Sequence, residues 1–80
     1  MFLFKVENTY LVSRVGLVLT PGLGNNKARV GSNIRLVRPD QSIIETKITG
    51  VAFDVDRSIA VGNNLKKDDV PIGTEVWLNE

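Results

Sequence analysis

Short apolar runs, broken every few positions by turn-forming residues, dominate the chain. Phe2, Phe4 and Val6 alternate with Leu3, Lys5 and Glu7, the period-two pattern of a strand that turns one face to a core. Residues 14–20 are rich in Val and Leu and stop at Thr20-Pro21-Gly22-Leu23. Pro presets φ at the first central position of a type II turn, and Gly supplies the positive φ required at the next. A type II turn is therefore expected there. Asn25-Asn26 marks another turn, because Asn tolerates the left-handed region.

Lys27-Ala28-Arg29-Val30 reads as a short strand ended by Gly31-Ser32, and Ile34 and Leu36 alternate with Arg35 and Val37 in the next one. Arg38-Pro39-Asp40-Gln41 predicts a tight hairpin turn with Pro39 as its first central residue. Residues 42–53 form the longest strand, with Ile44, Thr46 and Ile48 on one face and Ile43, Glu45 and Lys47 on the other. Gly50 within it signals a bulge or sharp bend. After an acidic turn at 54–57, a strand through Ser58, Ile59, Ala60 and Val61 leads into Asn63-Asn64. Residues 65–69 allow one helical turn, which Pro71 stops. In the last strand, residues 75–78, Val76 and Leu78 face the core and Trp77 lies opposite. Short strands at this spacing favour an all-β barrel or sandwich, and the fold expected is a small closed antiparallel β-barrel of the Greek-key type spanning residues 1–80 as one domain. Closure would also leave no long unpaired edge.

The composition removes most catalytic chemistry. Among 80 residues there is no Cys and no His, so disulfides, thiolate metal sites and the commonest general base are all absent. No metal site or cofactor is expected. The net charge is +1, too small to impose a polyanionic partner. Its distribution is uneven: Lys5, Arg14, Lys27, Arg29, Arg35, Arg38 and Lys47 precede Asp54, against Glu7, Asp40 and Glu45. From Asp54 onward the acids prevail, with Asp56, Asp68, Asp69, Glu75 and Glu80 against Arg57, Lys66 and Lys67. The apolar start is short and lacks a basic leader, and no apolar stretch approaches the ~20 residues that span a bilayer. A soluble, cytoplasmic protein without membrane contact is the expectation.

Four segments carry a resemblance. Gly16-Leu17-Val18-Leu19-Thr20-Pro21-Gly22 is similar to the strand and turn that open the second domain of elongation factor Tu and related translational GTPases. Residues 28–37, the Thr49-Gly50-Val51 of the long strand, and residues 65–73 resemble the segments that follow in that domain, in the same order. The resemblance implies a translation-factor-type β-barrel, here as a stand-alone domain. In that family the loop matching residues 65–73 holds the barrel closed, which would make Leu65 and Val70 its apolar anchors. Two departures stand out. Asp54-Val55-Asp56-Arg57 is shorter than the family's connection, and no Gly-x-x-x-x-Gly-Lys-Ser/Thr loop exists to cradle GTP.

Candidate chemistry is correspondingly thin. Glu45, Asp54 and Asp56 lack the ligand number and spacing of a Ca²⁺ loop and read as a solvated acidic turn. The serines have no histidine to activate them, and Gly22-Leu23-Gly24 is a turn rather than a phosphate loop. Lys27, Arg29, Arg35 and Arg38 are the candidate nucleic-acid-binding residues. Lys27 and Arg29 would share one strand face, and pairing with the strand bearing Arg35 and Arg38 would gather the four into a phosphate-contacting patch.

The function expected is a non-catalytic binding module associated with RNA, tRNA or ribosomal RNA, and so with translation. The alternative is a protein-interaction barrel that docks on a partner chain or forms a homodimer. Its aromatic and apolar anchors would be Tyr10, Val37 and Trp77.

Overall fold

The alternating pattern is realised, in a computed structural model that describes residues 1–62 and 64–79, as seven strands and one 3₁₀ turn. In chain order they are β1 (Phe2–Lys5), β2 (Asn8–Val12), β3 (Gly16–Thr20), β4 (Asn33–Val37), β5 (Ile43–Val51), β6 (Ile59–Val61), the 3₁₀ turn Lys67–Asp69, and β7 (Glu75–Leu78). All pairings are antiparallel, in the order β1-β7-β4-β5-β6-β3-β2. The sheet is curled and barrel-like.

The long β5 makes the curl possible. Its first half pairs with β4 and its second half with β6, and a bulge lies between Ile48 and Gly50. A bulge adds local twist and bends the strand, so one strand serves both halves of the sheet. This is the bend that Gly50 predicts. The two strands at the ends of the order, β1 and β2, are consecutive in the chain, with only Val6 and Glu7 between them. Val6 N–H donates to Thr74 O, Val6 O accepts from Gly73 N–H, and Glu7 N–H donates to Thr20 O.

One apolar cluster fills the concave side. Leu17, Leu19, Ile34, Leu36, Ile48, Ile59, Val61 and Val76 come from the strands, and Val6, Leu23, Ala28 and Val70 close it from the connections. Each fully buried aliphatic side chain stabilises the fold by about 1.5–3 kcal/mol relative to exposure. Leu65 packs against the cluster and Val70 is buried within it, as anchors of the segment that carries the 3₁₀ turn. Val76 and Leu78 face inward and Trp77 outward, as the alternation requires. Thr74 is the fully buried polar side chain, and its Oγ1 donates to Pro71 O at 2.7 Å.

Three local expectations need correction, and one strand is unanticipated. Residues 27–30 form no strand. They belong to a loop whose neighbours Gly31 and Ser32 bond to Ile48 on β5. The type II turn at Thr20–Leu23 does not close, because Leu23 N–H donates to Arg57 O while Thr20 O is taken by Glu7. β1 does not alternate cleanly: a bulge between Phe2 and Phe4 buries Leu3 and Phe4 together and leaves Phe2 outside. Residues 8–12 add a strand, β2, where the sequence pattern gave no sign of one. The turn at Arg38–Gln41 does form, with Gln41 N–H donating to Arg38 O at 2.8 Å. Gln41 takes a positive φ of 75°, the three-residue hairpin geometry of a type I turn followed by a left-handed residue. The Asn63 part of the Asn63-Asn64 segment lies outside the described residues.

Candidate functional site

The four cations expected to share one patch occupy separate places. Arg38 is an internal brace: its Nε donates to Ser42 Oγ at 2.6 Å and its Nη1 to Asp69 O at 3.4 Å. The guanidinium thereby ties the β4–β5 turn to the 3₁₀ turn. Arg35 lies on the convex face of β4, opposite Trp77 of β7 and Glu45 of β5. Its guanidinium carbon stands 5.8 Å from the centre of the Trp77 ring, within cation–π range. Lys27 and Arg29 are exposed on the loop before β4. There Arg29 N–H donates to Ser32 Oγ at 3.1 Å, and the side chain is left beside a groove. With no strand at 27–30, the pairing that would have collected the four does not occur.

The three apolar anchors are also dispersed. Trp77 is half-buried, with Phe2 edge-on at 5.3 Å and its Nε1 donating to Glu75 Oε1 at 3.0 Å. Val37 is half-buried at the end of β4. Tyr10 is exposed on β2 and stands in register with Val18, which in turn pairs with Ala60, itself opposite Gly50. This row crosses four strands on the convex face without a charged side chain.

The most exposed apolar residues are ones that sequence reasoning passed over. Phe53 is fully exposed and Val55 is 92% exposed, both on the β5–β6 loop. A signal was present: Phe53-Asp54-Val55-Asp56 places two large apolar residues in a turn that would ordinarily be polar throughout. Beside Phe53 lies a groove of about 580 Å³ lined by Arg29, Val30, Val51, Ala52, Phe53, Asp54 and Arg57. Val51 and Ala52 also line a smaller depression of about 220 Å³ with Val15, Val18, Gly50, Ser58 and Ala60. The groove thus continues into the neutral row, and the β2–β3 hairpin adds exposed Leu11, Val12 and Val15 at its far end.

Arg57 builds the floor of this region. Its Nη1 donates to Gly24 O at 3.2 Å and to Asn26 O at 2.8 Å, and its Nη2 to Ala28 O at 3.3 Å. Three carbonyls of the long 21–32 loop, which have no ladder partners, are satisfied by one planar fork. The Arg57 backbone is held in the left-handed region, φ 55°, with its N–H donating to Asp54 Oδ1 at 2.6 Å. Ser58 Oγ donates to Pro21 O at 3.0 Å. Loop 21–32 and loop 52–57 are therefore one hydrogen-bonded unit.

The acidic groups act as local caps. Asp69 Oδ2 accepts from Lys66 N–H at 2.8 Å, closing the 3₁₀ turn. Asp40 Oδ1 accepts from both the Oγ–H and the N–H of Ser42. Those two bonds, the side-chain one first, together with the nearby Arg38 charge, hold the Asp40 carboxyl below the usual carboxylate range. Among the described residues no three carboxylates come together in a way that could hold a metal ion, and no helix is long and apolar enough to cross a membrane. The surface this arrangement offers is a mostly apolar groove lined also by two cations, Arg29 and Arg57, and one carboxylate, Asp54. Comparison with family models, with curated proteins and with solved structures finds no match to this chain.

Proposed function

We propose that this chain is a non-catalytic binding module that docks on another protein through the Phe53 groove and the neutral row continuous with it. The observation that carries this reading is the full exposure of Phe53 at the rim of a mostly apolar groove. A large aromatic held in water costs solvation that burial against a partner would recover, and aromatics dominate interface hot spots. Two of the candidate cations, Arg35 and Arg38, are engaged within the fold, which weakens a phosphate-binding role for them. The direct test replaces Phe53 with photoreactive benzoylphenylalanine in the cell. Discrete protein adducts at position 53, absent when the probe stands at exposed Lys47, are expected. Identical diffuse labelling at both positions would overturn the reading.

The fold reading proposed with it is a closed, Greek-key-type barrel of the translation-factor kind. It is supported by the two-residue link between the end strands of the sheet and by the bonds of Val6 and Glu7 to either side. An RNA- or ribosome-associated role is the second reading. Arg29 beside a fully exposed Phe53 favours it, since a cation with an adjacent ring can hold a phosphate and a stacked base. Titration with tRNA and with a short structured RNA separates the two. RNA binding should shift amides at residues 27–30 and 52–57, weaken steeply with salt, and be lost in Arg29→Glu; an unchanged spectrum would remove this reading.

A further inference from the structure

We infer that the Phe53 groove takes a short acidic segment of another protein, which sets an apolar side chain against the groove walls and a neighbouring carboxylate on Arg29. The inference rests on the docking reading above and names the chemistry of the segment. Two cations, Arg29 and Arg57, line the groove against one carboxylate, Asp54, and the two cations are not equivalent. Arg57 donates its guanidinium hydrogens to the carbonyls of Gly24, Asn26 and Ala28. Neutral carbonyls satisfy those donors without cancelling the charge, so the floor of the groove stays positive. Arg29 is tied to its loop through its backbone N–H on Ser32 Oγ, and its side chain stands exposed at the rim. A guanidinium so placed pairs best with a planar anion, through two parallel N–H bonds.

Asp54 does not offset the two arginines. Its Oδ1 accepts from Arg57 N–H at 2.6 Å, which commits the carboxylate to its own loop. The same carboxylate separates a peptide from a phosphate chain. Asp54 lines the groove and Asp56 is exposed two positions on, so a polyanion laid past Arg29 would meet like charges on that loop. A peptide carries a single carboxylate between stretches of neutral backbone. The apolar walls select the rest of the segment. Val30, Val51 and Ala52 present no polar side-chain atom, and the fully exposed ring of Phe53 adds the area that an aliphatic or aromatic anchor would cover. At about 580 Å³ the groove has room for such an anchor with adjoining backbone.

Panning a phage-displayed library of random dodecapeptides against the folded chain tests the inference. Enriched peptides should carry Asp or Glu close to a large apolar residue, and a synthetic copy should shift amides at residues 29–30 and 51–57. Its affinity should fall at least about tenfold in Arg29→Glu, the loss of one charge-assisted contact. Lys47→Glu makes the same charge change on β5 outside the groove and should bind as the wild type does. Both variants should melt at the wild-type temperature, and panning on Arg29→Glu should lose the acidic bias. Enrichment of neutral or basic peptides, equal losses in the two variants, or no enrichment at all overturns the inference. An oligouridine RNA that shifts the same amides at lower concentration than any peptide also overturns it, in favour of the RNA reading. Neutral or basic peptides that still shift the groove amides would strike the acidic partner and retain the docking reading, which falls separately, on diffuse labelling from position 53 in the cell.

Discussion

Gly22 packs its α-carbon against the carbonyl of Arg57, so closely that a β-carbon at that position would lie 2.4 Å from Arg57 O and 2.3 Å from Asp56 O. The same approach lets Leu23 N–H and Gly24 N–H reach Arg57 O and Asp56 O, each at 3.0 Å. Gly22 also takes φ 134°, a conformation closed to other L-residues. Gly22→Ala must therefore push two backbone carbonyls away and break the seam between loops 21–32 and 52–57. A loss of about 3 kcal/mol or more is expected, out of a total of roughly 4–12 kcal/mol for a chain of this size. Gly24 has φ 57° and open space around it, so Gly24→Ala should cost only about 1 kcal/mol. Urea unfolding of the pair checks the contrast; equal losses would mean that the close approach is not what Gly22 supplies.

Arg57 makes the matching contribution from the other loop. Arg57→Met keeps an apolar stem of similar length and leaves the carbonyls of Gly24, Asn26 and Ala28 without their donor. A loss of about 2–3 kcal/mol follows from unsatisfied, partly buried acceptors. Arg57→Lys cannot restore it, since an ammonium lacks the planar fork that reaches three oxygens. Denaturant midpoints of the two variants should lie close together and well below the wild type. Full recovery by Lys would show that charge, not geometry, is what position 57 provides.

The contrast between β5 and the 21–32 loop shows what the sequence discloses. In β5 each residue's face is set by its immediate neighbours, so alternation places Ile44, Thr46 and Ile48 inward, and Gly50 marks the bulge. The 38–41 turn and the 3₁₀ turn are legible for the same reason, since Pro39, Asp40 and Asp69 act within four residues. Lys27-Ala28-Arg29-Val30 alternates just as a strand would, but the Ala28 carbonyl, with those of Gly24 and Asn26 before it, is claimed by a guanidinium about 30 positions away. No local pattern carries that information. The candidate site depends on it: without a strand at 27–30 the basic patch disperses, and Arg29 comes to rest beside Phe53 instead. Phe53 itself is a residue type usually found inside, and its place on the β5–β6 loop, beyond the end of the β5 alternation, leaves it outside.

Asp40 gives the fold an acid-sensitive turn. Its carboxyl is held below its ordinary range by the Ser42 hydroxyl and N–H and by Arg38. A carboxylate with a depressed pKa in the folded state contributes stability that is fully present above its unfolded value, near pH 4. That contribution is lost as pH falls through the lower folded value. Asp40→Asn should thus be less stable than wild type at pH 7, and the gap should narrow as pH drops below about 4. Melting temperatures of both proteins from pH 7 to pH 2.5 test the sign. A gap that stays constant with pH would leave Asp40 no ionic role in the turn.

Arg35 and Trp77 bear on the choice between RNA and protein. A guanidinium 5.8 Å from the ring centre, set between Trp77 and Glu45 across two strand pairs, is part of the convex surface rather than a free cation. Arg35→Gln should therefore cost about 0.5–1 kcal/mol and shift the emission of Trp77, the one tryptophan in the chain. Glu45→Gln, which removes only a cross-strand charge, should cost less, about 0.2–0.5 kcal/mol. If Arg35 instead pointed into solvent to meet phosphate, its replacement would leave both the emission and the stability unchanged. Fluorescence and urea midpoints on the same samples decide between the two states. A shifted emission with lost stability leaves Arg29 as the candidate cation free to act at the Phe53 groove.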